Sequence, residues 1–204
     1  MKKVDYKKEM KHIYNAPKKN PEIVDVPQMN FLMINGEGNP NISERFKSSV
    51  EALFGLSYTL KFMIKKSNVQ IDYGVMPLEG LWWADDMAAF CMKKKELWKW
   101  TVMIMQPEYV TKDLFFEARG QLKKKKDNSV LQDVILESFI DGRAGQIMHI
   151  GPFSEEGPTI EKLHKFIEAS GYELSGKHHE IYLSDTRRSA PEKWKTIIRQ
   201  PMKG

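Results

Sequence analysis

Two eight-residue strings, WTVMIMQP at Trp100–Pro107 and WKTIIRQP at Trp194–Pro201, carry Trp, Ile, Gln and Pro at identical places. Upstream of each lies a second matched pair, LWWAD at Leu81–Asp85 and IYLSD at Ile181–Asp185. A repeat of this kind identifies the building unit before any residue has a role. It predicts one domain made of two similar halves, with the seam between the halves as a natural place for a ligand.

The chain has 204 residues, 41% of them hydrophobic, enough for one large core or two fused half-domains. Residues 1–25 are polar and Lys-rich, with Pro17, Pro21 and Pro27 at or near their end, and read as an extended arm. Residues 26–204 then form a single domain whose halves, about 26–107 and 134–204, are joined by a helical linker. The run QMNFLMING, bounded by Pro27 and Gly36, predicts a strand. A helix follows over about Ile42–Lys66, with Asn41 and Glu44 as a capping box and Ile42, Phe46, Val50, Leu53, Leu60 and Ile64 as its buried stripe. Strands over about Tyr73–Asp85 and Leu97–Gln106 flank a polar turn containing Lys93–Lys95. A helix at about Thr111–Lys126 links the halves, and Val134–Ile140 reads as an additional strand. The order then repeats: strand Gln146–Ile150, helix Pro158–Ser170, strands His178–Ser184 and Trp194–Gln200, with Pro158 opening the helix and Gly171 ending it. Both halves read β-α-β-β. The fold class is α+β, a pseudo-twofold repeat with an antiparallel sheet, two main helices on one face and a ligand groove on the other.

The formal net charge of +5 comes largely from Lys93–Lys95 and Lys123–Lys126. These runs read as a solvated loop and a helix end; the alternative is a nucleic-acid or membrane patch. No helix-turn-helix, zinc-finger or RNA-binding pattern accompanies them, so no direct nucleic-acid partner is expected. The single cysteine, Cys91, forbids an intrachain disulfide. Its Lys-rich neighbourhood lowers a thiol pKa in principle, although an incidental cysteine beside a solvated turn is the commoner case. The amino terminus lacks a signal-like apolar core and no stretch approaches membrane-spanning length, so the expected location is cytoplasmic. The oligomeric state stays open.

Five motifs, taken in order, resemble the GyrI-like small-molecule-binding domain family: PLEGLWW (Pro77–Trp83), WKWTVMIMQP (Trp98–Pro107), QIMHIGPF (Gln146–Phe153), HHEIYLSDTRR (His178–Arg188) and KTIIRQP (Lys195–Pro201). The ordered set covers essentially the whole chain from about residue 10. That fold is shared with effector domains of multidrug-responsive transcription regulators and with the SOUL haem-binding proteins. The resemblance is to free-standing members, since no DNA-binding domain is read here. It implies binding of bulky, planar or cationic organic molecules. In some free-standing relatives, the cyclopropanoid cyclopropyl hydrolases, it also implies hydrolysis of cyclopropane-bearing DNA-alkylating compounds. Haem needs an axial ligand in an apolar pocket and no residue is singled out for that, so no cofactor is expected.

On the strand His178–Ser184, alternation puts Ile181 and Leu183 on one face and Glu180 and Tyr182 on the other. The helices need the apolar face, which predicts Glu180 and Tyr182 on the opposite, concave surface. A carboxylate with a phenol two residues away suits a base and acid pair, and burial against aromatic walls predicts a raised Glu180 pKa. A solvent-facing or Arg-paired Glu180 is equally compatible with the spacing; the resemblance is what implies a ligand-facing carboxylate. His149, in the strand equivalent to Phe31–Asn35, suits proton transfer, or equally a satisfied core histidine. Trp98 and Trp100 share a face, whereas Trp82 and Trp83 are on opposite faces, with Trp82 in the place of Tyr182. The four are candidate stacking walls for a planar aromatic small molecule, although core packing is the default for any one Trp. Phe54 and Tyr58 join them if their helix borders the cleft, and otherwise pack in the core. Glu79 is a possible second acid, but on Trp83's face. His178 and His179 cannot both point at one metal from a strand, no cluster has metal-ligand spacing, and Gly36-Glu37-Gly38 is only a turn. Three readings follow: a ring-opening hydrolase, a non-catalytic drug-binding or sequestering module, or a gyrase-protecting interaction protein.

Overall fold

The computed structural model describes residues 1–86, 94–125 and 128–204. Cys91, Lys93 and Lys126, on which the thiol reading and the ends of two lysine runs depend, lie outside the described residues. In chain order the elements are β1 (Lys2–Val4), α1 (Tyr6–Glu9), α2 (Lys11–Tyr14), β2 (Glu22–Val26), β3 (Met29–Glu37) and α3 (Glu44–Lys66). Then come β4 (Ile71–Tyr73), β5 (Leu78–Trp83), β6 (Lys99–Gln106), α4 (Lys112–Lys125) and β7 (Ile135–Phe139). The last are β8 (Gly142–Ile150), α5 (Gly157–Ala169), β9 (Glu173–Leu174), β10 (His178–Tyr182) and β11 (Lys195–Lys203). They divide into two compact units, one of Met1–Tyr6, Met29–Met76 and Trp82–Phe139, the other of Lys7–Gln28, Pro77–Leu81 and Ile140–Gly204.

In unit one, β3 pairs antiparallel with β6 on one side and β7 on the other. Helix α3 lies on β3 and β6, burying Leu53, Leu56, Leu60 and Ile64 along one stripe. Its start differs from the Asn41 capping box. The side chain of Asn39 accepts the Asn41 N–H and its carbonyl accepts the Ser43 N–H, so residues 39–43 form a turn. Ser43 Oγ then accepts the Phe46 N–H at 3.1 Å as the true cap. Ile42, lying ahead of that cap, is 81% exposed and leaves the stripe. The predicted strand Tyr73–Asp85 is broken into β4 and β5 around Gly74–Pro77, where proline cannot donate to a ladder. β4 instead pairs in parallel with β1.

In unit two the strand order is β2-β8-β11-β10, all antiparallel. Helix α5 carries Pro158 in its first turn, and Gly171 follows its end at φ 82°, a left-handed position that glycine takes without strain. It packs Leu163 and Ile167 onto Ile147, Ile198 and Met202. The helix comes so close that a Cβ on Gly145 would stand 2.9 Å from the Ile167 side chain. The extended-arm expectation for residues 1–25 is corrected here. Residues 7–28 belong to this unit; β2 extends the sheet along β8, and Ile13, Tyr14 and Ala16 are buried. These three apolar side chains amid lysines gain by burial what an exposed arm would forgo, and the Met148 N–H donates to the Pro17 carbonyl at 2.8 Å.

The sequence repeat is a repeat of register. Trp100 stands opposite Gly36 across β6 and β3, and the Gly151 N–H donates to the Trp194 carbonyl at 3.0 Å across β8 and β11. Counting along the strings, Ile104 faces Leu32 just as Ile198 faces Ile147. The Trp100 indole lies so low over Gly36 that a Cβ there would sit 2.2 Å from ring carbons. Gly36→Ala is therefore expected to destabilise by about 1–3 kcal/mol through overpacking, measured as a lower urea midpoint. A neutral or stabilising result would contradict the close approach.

Candidate active site and a buried charge array

Strand β10 presents two faces with different chemistry. Glu180 is opposite Ile198 and Tyr182 opposite Thr196 across the antiparallel pair, and cross-strand partners share a face. Ile198 packs against Leu163 and Ile167 of α5. Glu180 and Tyr182 therefore lie on the face that carries the helix, not on the one away from it as alternation alone suggested. The expectation failed because the opposite face is not open: it takes up Ile181, Ile197 and the segment containing Ile13 and Tyr14.

On the helix face Glu180 is engaged at both oxygens. Oε1 accepts from His178 Nε2 at 3.0 Å and Oε2 from the Tyr182 hydroxyl at 2.7 Å. Burial would raise the carboxyl pKa, but the hydrogen bond and charge of His178, the Tyr182 hydrogen bond and the charge of His179 outweigh it. The net direction is down, opposite to the raised value expected, because the carboxylate meets donors rather than bare aromatic walls. Beside the pair stand Phe153, 5.5 Å from Tyr182 between ring centroids, and Trp194, 4.9 Å from Phe153. Sequence reasoning passed over both, although Phe153 closes the motif QIMHIGPF and Trp194 opens the second repeat string.

His149 shares the row of Tyr182 and Thr196 on this face. Both of its ring nitrogens are occupied locally, Nδ1 with Thr159 Oγ1 at 3.0 Å and Nε2 with the Pro152 carbonyl at 3.3 Å. It ties the end of β8 to the start of α5.

The tryptophans belong to unit one, with the exposure of each set by its neighbours. Trp82 lies 5.9 Å from Phe46 and 5.8 Å from Trp98, and Trp100 meets Phe46 edge-on at 5.1 Å. Trp100 is fully buried and closed over Gly36, a core residue rather than a wall. Trp98 is half-buried with Lys95 Nζ 5.4 Å from its ring centroid. Trp83 is half-buried on the other face of β5. On α3, Phe54 is half-buried and Tyr58 is about half exposed.

The second face of β10 holds a charge array that no spacing announced. His179 Nε2 meets Glu79 Oε2 at 2.9 Å, and its Nδ1 meets Asp141 Oδ2 at 2.7 Å. Arg199 Nη1 donates to the same Asp141 oxygen at 3.2 Å. These four side chains are at most 1% exposed. Arg199 also donates to Gln146 Oε1 and to the Ile13 carbonyl, Gln146 Nε2 donates to the His12 carbonyl and Glu22, and the Tyr14 hydroxyl donates to Glu79. Burial alone would strip the charge from His179; Asp141 and Glu79 reverse that and raise its pKa to about 9. Asp141 is likewise held low by His179 and Arg199 against its burial. Two carboxylates, an imidazolium and a guanidinium make a set without net charge, which is how such groups are tolerated inside.

A surface hollow of about 500 Å³, lined by residues including Glu9, His12, Glu22 and Val24, lies at the amino-terminal segment and includes none of the candidate residues. Among the described residues no group of three or more His, Cys, Asp or Glu side chains is arranged to hold a metal ion, and no helix is long and apolar enough to cross a membrane.

Two β-α-β-β units built on one register, with an engaged carboxylate on the strand after the second helix, define a doubled α+β protein. Residues 19–203 match the family model of the GyrI-like small molecule binding domain, and the chain belongs to that family. Three solved structures from Listeria innocua are similar over nearly its full length. An uncharacterized conserved protein is 41% identical, with 98% of this chain and 100% of that one covered and a TM-score of 0.90. Two structures of a hydrolase are each 40% identical; they cover 98% and 99% of this chain and 100% of their own, with TM-scores of 0.85 and 0.88. No curated protein matches the chain.

Proposed function

We propose that this protein is a hydrolase that adds water to the cyclopropane ring of planar, DNA-alkylating electrophiles. The observation that carries the reading is the Glu180–Tyr182 pair, an ionised carboxylate and a phenol 2.7 Å apart beside the rings of Phe153 and Trp194. Relatives of 40% identity described as hydrolases support it. Glu180 orients the water and accepts its proton as the water oxygen bonds to the cyclopropane methylene. The strained carbon–carbon bond breaks, and its electron pair passes into the ring system and onto the conjugated carbonyl oxygen. Tyr182 donates a hydrogen bond to that oxygen as it gains charge. The proton that Glu180 took is returned, through the Tyr182 hydroxyl that contacts it, to the new phenolate oxygen. The product is thus the ligand plus one water, and Glu180 is ionised again. Tyr182 takes the donor role ahead of His149 because its hydroxyl stands at Glu180, whereas the His149 ring is bonded to Thr159 and the Pro152 carbonyl. The Phe153 and Trp194 rings supply the flat surface against which such a ligand is oriented. In unit one Trp98, half-buried, is the stacking candidate, whereas Trp82 is buried against Phe46 and Trp98 and packs in the core.

A second reading, binding without turnover, is favoured by the same lowered pKa, since a carboxylate held ionised suits the counter-charge of a cationic ligand. Incubation with a planar spirocyclopropyl-cyclohexadienone, followed by mass analysis, separates the two. Steady accumulation of a product heavier by one water is the expected result. Intact compound recovered in stoichiometric complex would leave only the binding reading.

A further inference from the structure

We propose that His178 is the positioning residue of Glu180: its Nε2–H holds one carboxylate oxygen, so that the other, which Tyr182 covers, is the oxygen that meets water. The inference rests on the reading of Glu180 as the water-orienting group. His178 and Glu180 project from the same face of β10, 3.0 Å apart, with side-chain exposures of 3% and 14%. A histidine so enclosed has no solvent position to swing into, whereas the carboxylate it holds keeps an accessible edge. An ionised carboxylate only accepts hydrogen bonds, so the ring nitrogen at Oε1 is the donor. With Oε1 held, exchange of partners is confined to Oε2. A ligand carbonyl that draws the Tyr182 hydroxyl away opens that oxygen to water without releasing the carboxylate from its place. Productive geometry in such sites is set to a fraction of an ångström by buried supporting residues of this kind.

Groups from three elements surround His178. On β10 they are Glu180 and Tyr182, with His179 turned to the other face and Lys177 preceding. From α5 comes His164, whose pKa is lowered by burial and then by His178, with Glu168 acting on it in the opposite sense. On β11 the residues opposite this face, Thr196, Ile198 and, by continuation of the register, Gln200, are uncharged. His178 is thus the donor through which Glu180 meets the helix side of the unit.

The test is an infrared titration of the Glu180 carboxyl, with Glu180→Gln as the subtraction reference, in wild type, His178→Ala and His178→Gln. The carboxyl midpoint in His178→Ala is expected to rise by about one pH unit or more, a tenfold change in the ionisation constant. The acid limb of the turnover profile on the spirocyclopropyl-cyclohexadienone should rise with it. kcat should fall about tenfold, a part of the roughly 10²- to 10⁴-fold such a base supplies, with KM nearly unchanged. His178→Gln restores an N–H donor and should recover most of both changes. An unchanged midpoint in a folded His178→Ala protein overturns the inference; if that variant does not fold, His178→Phe, a ring without the donor, takes its place. If wild type shows no turnover at all, the hydrolase reading fails, yet the titration still decides the role of His178.

Discussion

Glu180→Gln is expected to lower the rate of water addition by about 10²- to 10⁴-fold while leaving ligand affinity nearly intact. Glutamine keeps the shape of the side chain, and its amide oxygen still accepts a hydrogen bond from Tyr182 or His178, so the local structure has little reason to move. It cannot take a proton from water. Single-turnover mass analysis of the water adduct, paired with quenching of tryptophan fluorescence on binding, measures the two effects separately. A wild-type rate in the variant removes Glu180 from the chemistry. Parallel loss of affinity and of any turnover points instead to a counter-charge for a cationic ligand. Because the Glu180 pKa is lowered, the working carboxylate form persists through neutral pH and is lost only on the acid side. Turnover should therefore be flat around neutrality and fall in acid.

Arg199→Met is expected to cost about 3–5 kcal/mol of stability, the range for breaking a buried ion pair by removing one partner. Methionine is the residue at the matching place in the first repeat string, Met105, so size and shape at a strand interior are reasonable. The loss is electrostatic. Glu79 and Asp141 are left with His179 as the one cation of the array, and the Ile13 carbonyl and Gln146 Oε1 lose their guanidinium donor. Urea denaturation reads the change directly, and a cost below about 1 kcal/mol, the level of an exposed pair, would show that the array does not hold the unit. The array also sets a pH window. The folded pKa of His179, about 9, lies above the ordinary value near 6.5. Its contribution is thus complete below about pH 6.5 and lost as pH rises through about 9. Asp141, shifted down, contributes in the opposite sense: its share is present at neutral pH and lost as pH falls into the acid range.

The doubled β-α-β-β order was legible because Trp, Ile, Gln and Pro recur at fixed places and because α3 and α5 have long apolar stripes. Alternation also placed Glu180 with Tyr182, and Glu79 on the other side of its strand from Trp82. It could not say which side of β10 the helix covers. That depended on Ile13 and Tyr14, too few apolar residues in too polar a stretch to show a period. The array was hidden for another reason: its members come from β5, the residue before β8, β10 and β11, and no local spacing joins them. Yet the repeat held a clue. Where unit one pairs Met105 with Phe31, unit two pairs Arg199 with Gln146. A charged residue inside a strand at a place where the twin carries an apolar one, Met105, is a sign of a buried partner elsewhere.

The way residues 7–28 join unit two bears on how the chain is made. Every stretch of unit one has been synthesised once residue 139 emerges. Unit two must wait for β8 before β2 has a neighbour, and for β11 before the Ile13 carbonyl finds Arg199. An early segment is therefore carried unpaired until β8 is made, and its contacts are complete only when the last strand arrives. Domains generally fold as units in the order of synthesis, and long-range closures are the slow ones. In this chain residues 7–28 are made early and are among the last parts to fold.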